Sequence, residues 1–353
     1  MKLMLTLDFP PEIGGIQKHL ENIVRFTYGS EDLVMVGCRR KPSTRTSAKL
    51  RAPIAWVSGP FSRCNKKFAL APMLLKYVLR VFAKSELFEV ECGNVYAASV
   101  PWVASFLTGV HYTVYVHGTE LLTLRAKTWK SWVLRRILIK ARAIIANSGY
   151  TASLIKNAEI DAEIIVSPPK ITLPEKPITA RAQGGGMRIL CVGRLVEHKG
   201  HAILLEAVSM VPGNMPWRLV IVGDGPRSKD LHRYCKEKNL HGRVSMYRGL
   251  SDDDLASEYE NASVFVLPSL EVVEGVEGFG IVLLEAMAHG VPIVASFTGG
   301  VSEVLDAGSC GVLVEAGNAV ALAHALIEIH NNPVKRSRLI ANASRRVRTH
   351  YAW

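Results

Sequence analysis

The chain has 353 residues, 48% hydrophobic and 21% charged, which suits a globular protein with two full cores and excludes disordered or fibrous classes. Its net charge of +12 sits in one half: residues 1–170 hold 24 Lys and Arg against 12 Asp and Glu, while residues 171–353 hold 19 of each. With no recognition helix, β-ribbon or zinc motif beside the basic residues, nucleic acid is not an expected partner; an anionic surface facing one domain, or a solvated basic face, is.

Short apolar runs alternate with helical patterns, which predicts a parallel α/β sheet in each half. In the first half the predicted strands are Leu3–Leu7, Leu33–Gly37, Ile54–Val57, Leu87–Cys92, Tyr112–Val116 and Ala143–Ala146. MKLMLTLDFPPE lacks the cleavage region of a signal peptide and reads as a first strand running into a loop. The glycine pair Gly14-Gly15 follows, either to let the backbone approach a ligand or as a tight turn. Arg39, Arg40, Lys41, Arg45, Lys49 and Arg51 form a basic stretch. Phe68–Lys84 reads helical after Pro72, with Lys66 and Lys67 before it. Lys76, Arg80 and Lys84 then fall in one stripe flanked by Met73 and Tyr77, either for an anionic membrane surface or as one solvated side of a core helix. Ala97–Val116 carries no charge and has the length of a membrane span, but Pro101, Thr108, Gly109 and His111 interrupt it. It reads as a buried helix followed by a buried strand. His117, in VHGTE, comes directly after that strand, either packed or chemically active. The Trp129–Lys140 helix is basic and aromatic, with its charges spread around it.

Pro168–Gly186 is rich in proline and glycine and divides the chain into an N-terminal domain of residues 1–169, a linker of 170–186 and a C-terminal domain from 187. The second set of strands is Arg188–Val192, Arg218–Val222, Val244–Tyr247, Val264–Leu267, Pro292–Ala295 and Gly311–Val314. VGRLVEHKG places Arg194 and Lys199 just after the first of these, where two cations can neutralise a diphosphate. VGDGP lacks the full dinucleotide fingerprint and reads as a structural turn. The most informative segment is PSLEVVEGVEGFGIVLLEAMAHGVP, Pro268–Pro292. There a helix begins near Gly280 and offers backbone N–H groups along Gly278-Phe279-Gly280-Ile281 to an anion. Glu277, just before that turn, and Glu285, eight positions later, suit hydroxyls rather than phosphate. A diphosphate together with a polyhydroxyl group describes a sugar nucleotide.

The spacing of Glu277 and Glu285 in EGFGIVLLE, followed by AMAHGVPIVAS, resembles the E-x7-E motif of the retaining GT-B glycosyltransferases of family 4, the glycosyl transferases group 1. VGRLVEHKG, VHGTE, the Gly14-Gly15 turn and MYRGL (Met246–Leu250) resemble further family segments, over residues 1 to about 350. The resemblance implies two facing Rossmann-like domains with the donor and acceptor in a cleft between them. It implies a nucleotide-diphosphate sugar (UDP- or GDP-linked) as donor and a glycan or lipid-linked acceptor hydroxyl. In that scheme Arg194 and Lys199 hold the donor diphosphate, Glu285 the ribose, His117 and Glu277 act catalytically at the sugar, and MYRGL lies near the base. No metal-ligand spacing occurs, and no cofactor or essential metal is expected. The same fold hosts sugar-nucleotide epimerases, and a non-catalytic sugar-nucleotide-binding subunit is the other alternative.

Two departures stand out. The SLEVVEGVEGFG loop is longer than the common form, with Glu271 and Glu274 added. Residues 346–353 stand where family members continue into a closing helix, so the segment reads as absent or shortened. Six scattered cysteines (Cys38, Cys64, Cys92, Cys191, Cys235 and Cys310) suit free buried thiols in a reducing compartment. The expected location is cytoplasmic, peripheral on the inner face of the membrane.

Overall fold

The structure is a computed structural model, and it describes residues 1–39, 50–59, 62, 65–83, 89–174 and 186–353. Most of the basic stretch from Arg40 to Lys49, the linker residues 175–185, Cys64 and Lys84 of the predicted stripe lie outside the described residues. The chain divides into two compact units, Met1–Pro169 and Lys170–Trp353.

The first unit contains β1 (Lys2–Thr6), α1 (Gly15–Thr27), β2 (Leu33–Gly37), β3 (Ile54–Val57), α2 (Leu70–Ala83), β4 (Glu89–Cys92), α3 (Ser99–Thr108), β5 (Tyr112–Val116), α4 (Trp129–Lys140), β6 (Ala143–Ala146), α5 (Gly149–Asn157) and β7 (Ile164–Val166). The second contains β8 (Met187–Val192), α6 (His201–Ser209), β9 (Trp217–Val222), α7 (Ser228–Glu237), β10 (Val244–Tyr247), α8 (Asp252–Asn261), β11 (Val264–Leu267), α9 (Ile281–Ala288), β12 (Ile293–Phe297), α10 (Val301–Val304), β13 (Val312–Glu315), α11 (Ala319–Asn331) and α12 (Pro333–His350).

Both sheets are wholly parallel, ordered β3-β2-β1-β4-β5-β6-β7 and β10-β9-β8-β11-β12-β13. Central strands such as β2 and β11 are buried along their whole length, because helices cover both faces of a parallel sheet. The order reverses between β1 and β4 and again between β8 and β11. At such a switch point the two adjacent loops leave in opposite directions and open a crevice at the carboxyl edge. The loops after β1, β4, β8 and β11 carry most of the residues the sequence singled out.

Several expectations change. Ile164–Val166 forms an edge strand that the sequence reading missed; it has three residues and is largely exposed. α2 already includes Pro72, in the first turn, where a helix has no intrahelical partner for its N–H groups. Met73 and Tyr77 do not flank a surface stripe but are fully buried in the core, while Leu75 and Leu79 are exposed beside Lys76 and Arg80. α3 is not buried throughout: Phe106 and Leu107 lie open at its carboxyl end. Residues 346–350 complete α12, so the expected break at 345/346 falls inside a helix that packs on α9. Past α12, Tyr351 O accepts from Ile171 N at 2.8 Å and Ala352 bridges Ile171, which ties both ends of the second unit together. Among the described residues, no helix is long and apolar enough to cross a membrane. The five described cysteines are buried.

Candidate functional site

In the second unit, the site is a stack of loops after β8, β9, β11 and β12, pressed together backbone to backbone. The Gly193–Val196 segment lies on the loop after β9, with Leu195 N donating to Asp224 O at 2.9 Å. A Cβ at Gly223 would come within 1.9 Å of Gly193 O, and one at Gly225 within 2.5 Å of Leu195 O. VGDGP therefore supports the Arg194 loop. Gly200, in the left-handed region at φ 65°, lies so close to the end of β11 that a Cβ would stand 1.8 Å from Pro268 O. The Glu277 backbone is clamped in the same way, since Gly300 N donates to Glu277 O at 2.9 Å and a Cβ at Gly299 would stand 1.9 Å from that oxygen.

These contacts bring Lys199 and Glu277 together across 78 positions of sequence, with Lys199 Nζ donating to Glu277 Oε2. Ser269 Oγ donates to the same oxygen at 3.1 Å. Glu277 is only 8% exposed. Burial pushes its carboxyl upward, but the Lys199 ammonium, its hydrogen bond, His198 and Ser269 together hold it below the usual carboxylate range. The carboxylate and the ammonium are thus both charged, paired and fixed. Arg194 is exposed and pairs with no carboxylate among the described residues. Two of the predicted cations therefore differ in role: Lys199 is built in and Arg194 is open.

α9 starts after Gly280, whose φ of 90° an L side chain rarely adopts, and no side chain caps it. Phe279 points away from this edge; it is buried and packs edge-on against Tyr351 at 5.7 Å, so only its backbone faces the turn. Ile281 is likewise packed against the core. Glu285, one turn along α9, accepts from Tyr259 Oη at 2.8 Å. The additional residues of the SLEVVEGVEGFG loop close into a tight turn, with Val272 and Gly275 bonded to each other and Val273 at the open tip. Leu270 N donates to His198 O at 2.7 Å, which ties this loop to the one after β8. In MYRGL, Arg248 pairs with Asp224 at 3.1 Å on the exposed edge.

In the first unit, the corresponding edge is built from side chains. Asp8, just past β1, accepts from Lys66 Nζ at 2.6 Å, Asn94 Nδ2 at 2.7 Å and Gln17 Nε2 at 3.2 Å. Lys66 also reaches Glu12 at 2.8 Å. Gly14 and Gly15 open α1 beside this cluster. His117, past β5, is held at three points: its N–H donates to Glu120, its carbonyl accepts from Asn147 Nδ2 at 3.2 Å, and its Nε2 lies 2.9 Å from Gly93 O. A carbonyl only accepts, so Nε2 carries a proton in this bond. His19 stands edge-on to this ring at 6.3 Å. Burial first, and His117 second, lower the His19 pKa to about 3, so it stays neutral.

Among the second unit's residues, Ser269, His198, Tyr259 and Thr298-Gly299-Gly300 escaped the sequence reading, as did Asp8 and Asn94 in the first. The signal for two of these was present: a glycine pair directly after a strand at Gly299-Gly300, and Gly93-Asn94 at another strand end. Among the described residues, no group of three or more His, Cys, Asp or Glu is arranged to hold a metal ion.

Two wholly parallel α/β units of the Rossmann type, each with its polar residues on the carboxyl edge at a switch point, define the GT-B class of fold. Residues 177–346 match the family model for glycosyl transferases group 1. Over 346 residues the chain is 28% identical to the GDP-mannose-dependent alpha-(1-6)-phosphatidylinositol monomannoside mannosyltransferase of Mycolicibacterium smegmatis, covering 94% of this chain and 89% of that one. Among solved structures, Anabaena HepE in complex with UDP matches with a TM-score of 0.79 at 21% identity, over 100% of this chain and 96% of that one. Sucrose-phosphate synthase from Thermosynechococcus elongatus matches with a TM-score of 0.83 at 19% identity, over the same shares of each chain. The solved structures establish the fold. The family match and the curated relative support a glycosyltransferase.

Proposed function

We propose that the protein is a retaining glycosyltransferase of family 4 that moves a sugar from a nucleotide-diphosphate donor to an acceptor hydroxyl in cell-surface glycan or glycolipid synthesis. The observation that carries this reading is the buried Lys199–Glu277–Ser269 cluster, locked by backbone contacts beside the start of α9, with Glu285 one turn on. In this scheme Arg194, Lys199 and the backbone N–H groups of Gly278–Ile281 stabilise the negative charge that grows on the leaving diphosphate. Glu277 addresses hydroxyls of the transferred sugar and Glu285 those of the ribose. The bond from the anomeric carbon to the phosphate oxygen breaks while the acceptor oxygen bonds to the same face, and a phosphate oxygen of the donor takes the acceptor's proton. His117, on the first unit, acts in the transfer step. No protein-held metal takes part.

A GDP-linked hexose is the donor we favour over a UDP-linked one, because the relative matched over nearly its whole length is GDP-mannose-dependent. A lipid-linked acceptor fits the first unit's surface, where exposed Leu75, Leu79, Phe106, Leu107, Trp129 and Trp132 accompany exposed basic residues of α2 and α4. Basic side chains near an anionic bilayer contribute roughly 1 kcal/mol each, and Trp favours the interface.

A thermal-shift panel of UDP- and GDP-sugars tests the donor, because a ligand that binds the folded state raises its melting temperature. Proton NMR of the product then reads the anomeric configuration. Retention is expected, with nucleotide diphosphate released in step with acceptor consumed. Release without acceptor would favour an epimerase or hydrolase, and binding without release a non-catalytic subunit.

A further inference from the structure

Tyr259 is one of the largest fully buried side chains of the second unit, 2% exposed on the inner face of α8. Its ring stacks on His289 at 5.3 Å with planes 9° apart and leans against Phe265 of β11 at 5.7 Å. Its hydroxyl donates to Glu285 Oε2 at 2.8 Å. His289 caps the carboxyl end of α9 one turn after Glu285, so a single phenol from α8 docks on both. Burial, and then the Glu285 charge, raise the Tyr259 pKa far above its ordinary value, so the hydroxyl remains a donor at every working pH.

A glutamate side chain has three rotatable bonds, and a half-buried carboxylate that must meet two hydroxyls of one ring loses much of its binding strength if it wanders. Buried phenols usually bond to a backbone carbonyl or water. Here the bond goes to the second glutamate of the E-x7-E motif, from a buried ring packed against His289 and Phe265. We propose that Tyr259 is a positioning residue for nucleotide recognition: it holds the Glu285 carboxylate in the orientation that takes the ribose hydroxyls, and so makes the site selective for a ribonucleotide. This rests on the assignment of Glu285 to the ribose made above.

Tyr259→Phe tests it, because the ring, its stacking on His289 and its volume all remain and only the hydroxyl is lost. Calorimetric titrations use whichever of GDP or UDP the parent protein binds, and its 2′,3′-dideoxy counterpart, against parent, Tyr259→Phe, Glu285→Gln and the double variant. Tyr259→Phe is expected to lose roughly tenfold in affinity for the ribonucleotide and less than about twofold for the dideoxy form, the size expected for one hydrogen bond to a charged group. Glu285→Gln should lose at least as much, and the double variant no more than Glu285→Gln. With saturating donor, kcat of Tyr259→Phe should stay within about twofold of the parent while KM rises. The ribose-to-dideoxy ratio is taken within each variant, so a smaller folded fraction does not change it. Equal losses for both nucleotides would reveal a purely structural tyrosine and overturn the proposal, as would full ribonucleotide affinity in Tyr259→Phe while Glu285→Gln is impaired. If Glu285→Gln itself binds the ribonucleotide like the parent, the ribose assignment fails first and the proposal falls with it.

Discussion

The carboxyl edges of the two units solve the same problem with different materials. In the second unit, glycines let one loop backbone rest against another: Gly200 on Pro268, Gly223 on Gly193, Gly299 on Glu277 and Gly300 on Gly278. Its charged pair is buried inside that stack. In the first unit the loops are joined by side chains that meet at Asp8, and a Cβ at Gly14 would touch only the mobile end of Gln17. A backbone stack fixes geometry to tenths of an ångström and tolerates little change. A side-chain hub can be rebuilt one residue at a time. A rigid edge suits a ligand part common to many proteins, and an adaptable edge suits one that differs between them.

The sharpest way to break that contrast is a methyl group at each edge. Gly200→Ala puts a Cβ against a backbone carbonyl at a positive φ, and should cost about 3 kcal/mol or more and abolish nucleotide binding. Gly14→Ala should stay within about 1 kcal/mol of the parent. Denaturant titration of both variants checks this, and equal losses would end the distinction. Next comes charge. Lys199→Ala leaves the Glu277 carboxylate buried without its partner, an expected loss of about 3–5 kcal/mol. Lys66→Ala leaves Asp8 its bonds from Asn94 and Gln17, and the loss should be about 1 kcal/mol.

His117→Ala reads function rather than stability. With its backbone held by Glu120 and Asn147, the ring can be removed with the melting temperature unchanged to within a few degrees, yet transfer should fall by roughly a hundredfold or more. A proportionate loss of stability would instead mark a packing histidine.

Acid gives a smaller, graded effect. His19 is lowered to about 3, and His198 and His201 to about 4, in each case chiefly by burial. A depressed folded value means the unfolded chain takes the proton first. Their contribution is complete above the ordinary histidine value of 6.5 and fades as pH falls toward 4 and then 3. Glu277, depressed from 4.5, adds its loss only below that value. Unfolding midpoints between pH 7 and 4 should therefore decline, and less so in His19→Leu. Parallel curves would remove His19 from the account. The weakest expected effect is at the surface: a Trp129→Ser/Trp132→Ser variant should sediment several-fold less with anionic vesicles, and equal sedimentation would place any bilayer contact elsewhere.

What could be read from the sequence followed a simple physical line. Buried strands such as Leu33–Gly37 and Val264–Leu267 announce themselves as apolar runs, because a covered parallel strand has no polar side. Glu277, Arg194 and Lys199 could be named because each stands in a glycine-rich loop that follows a strand, and Glu285 by its spacing from Glu277. That Lys199 reaches Glu277 could not be read, since the pairing depends on how closely two backbones pass 78 positions apart. Gly299-Gly300 was passed over because its partner loop lies some twenty residues earlier and carries no mark of the contact. Tyr259 looked like any aromatic on a helix. In α3 the error ran the other way: a charge-free sequence hid which of its apolar residues, Phe106 and Leu107, have nothing packed over them.

The pairing of Ile171 with Tyr351 and Ala352 has a consequence for ancestry as much as for stability. Because the polypeptide joins and leaves the second unit at neighbouring points, stitched by Ile171 N to Tyr351 O and by Trp353 Nε1 to Lys170 O, everything between forms a closed circuit. Such a circuit can be cut from one gene and spliced beside another first half without stranding a strand or a helix. A module of this kind, able to travel whole, can be joined over generations to many different first halves.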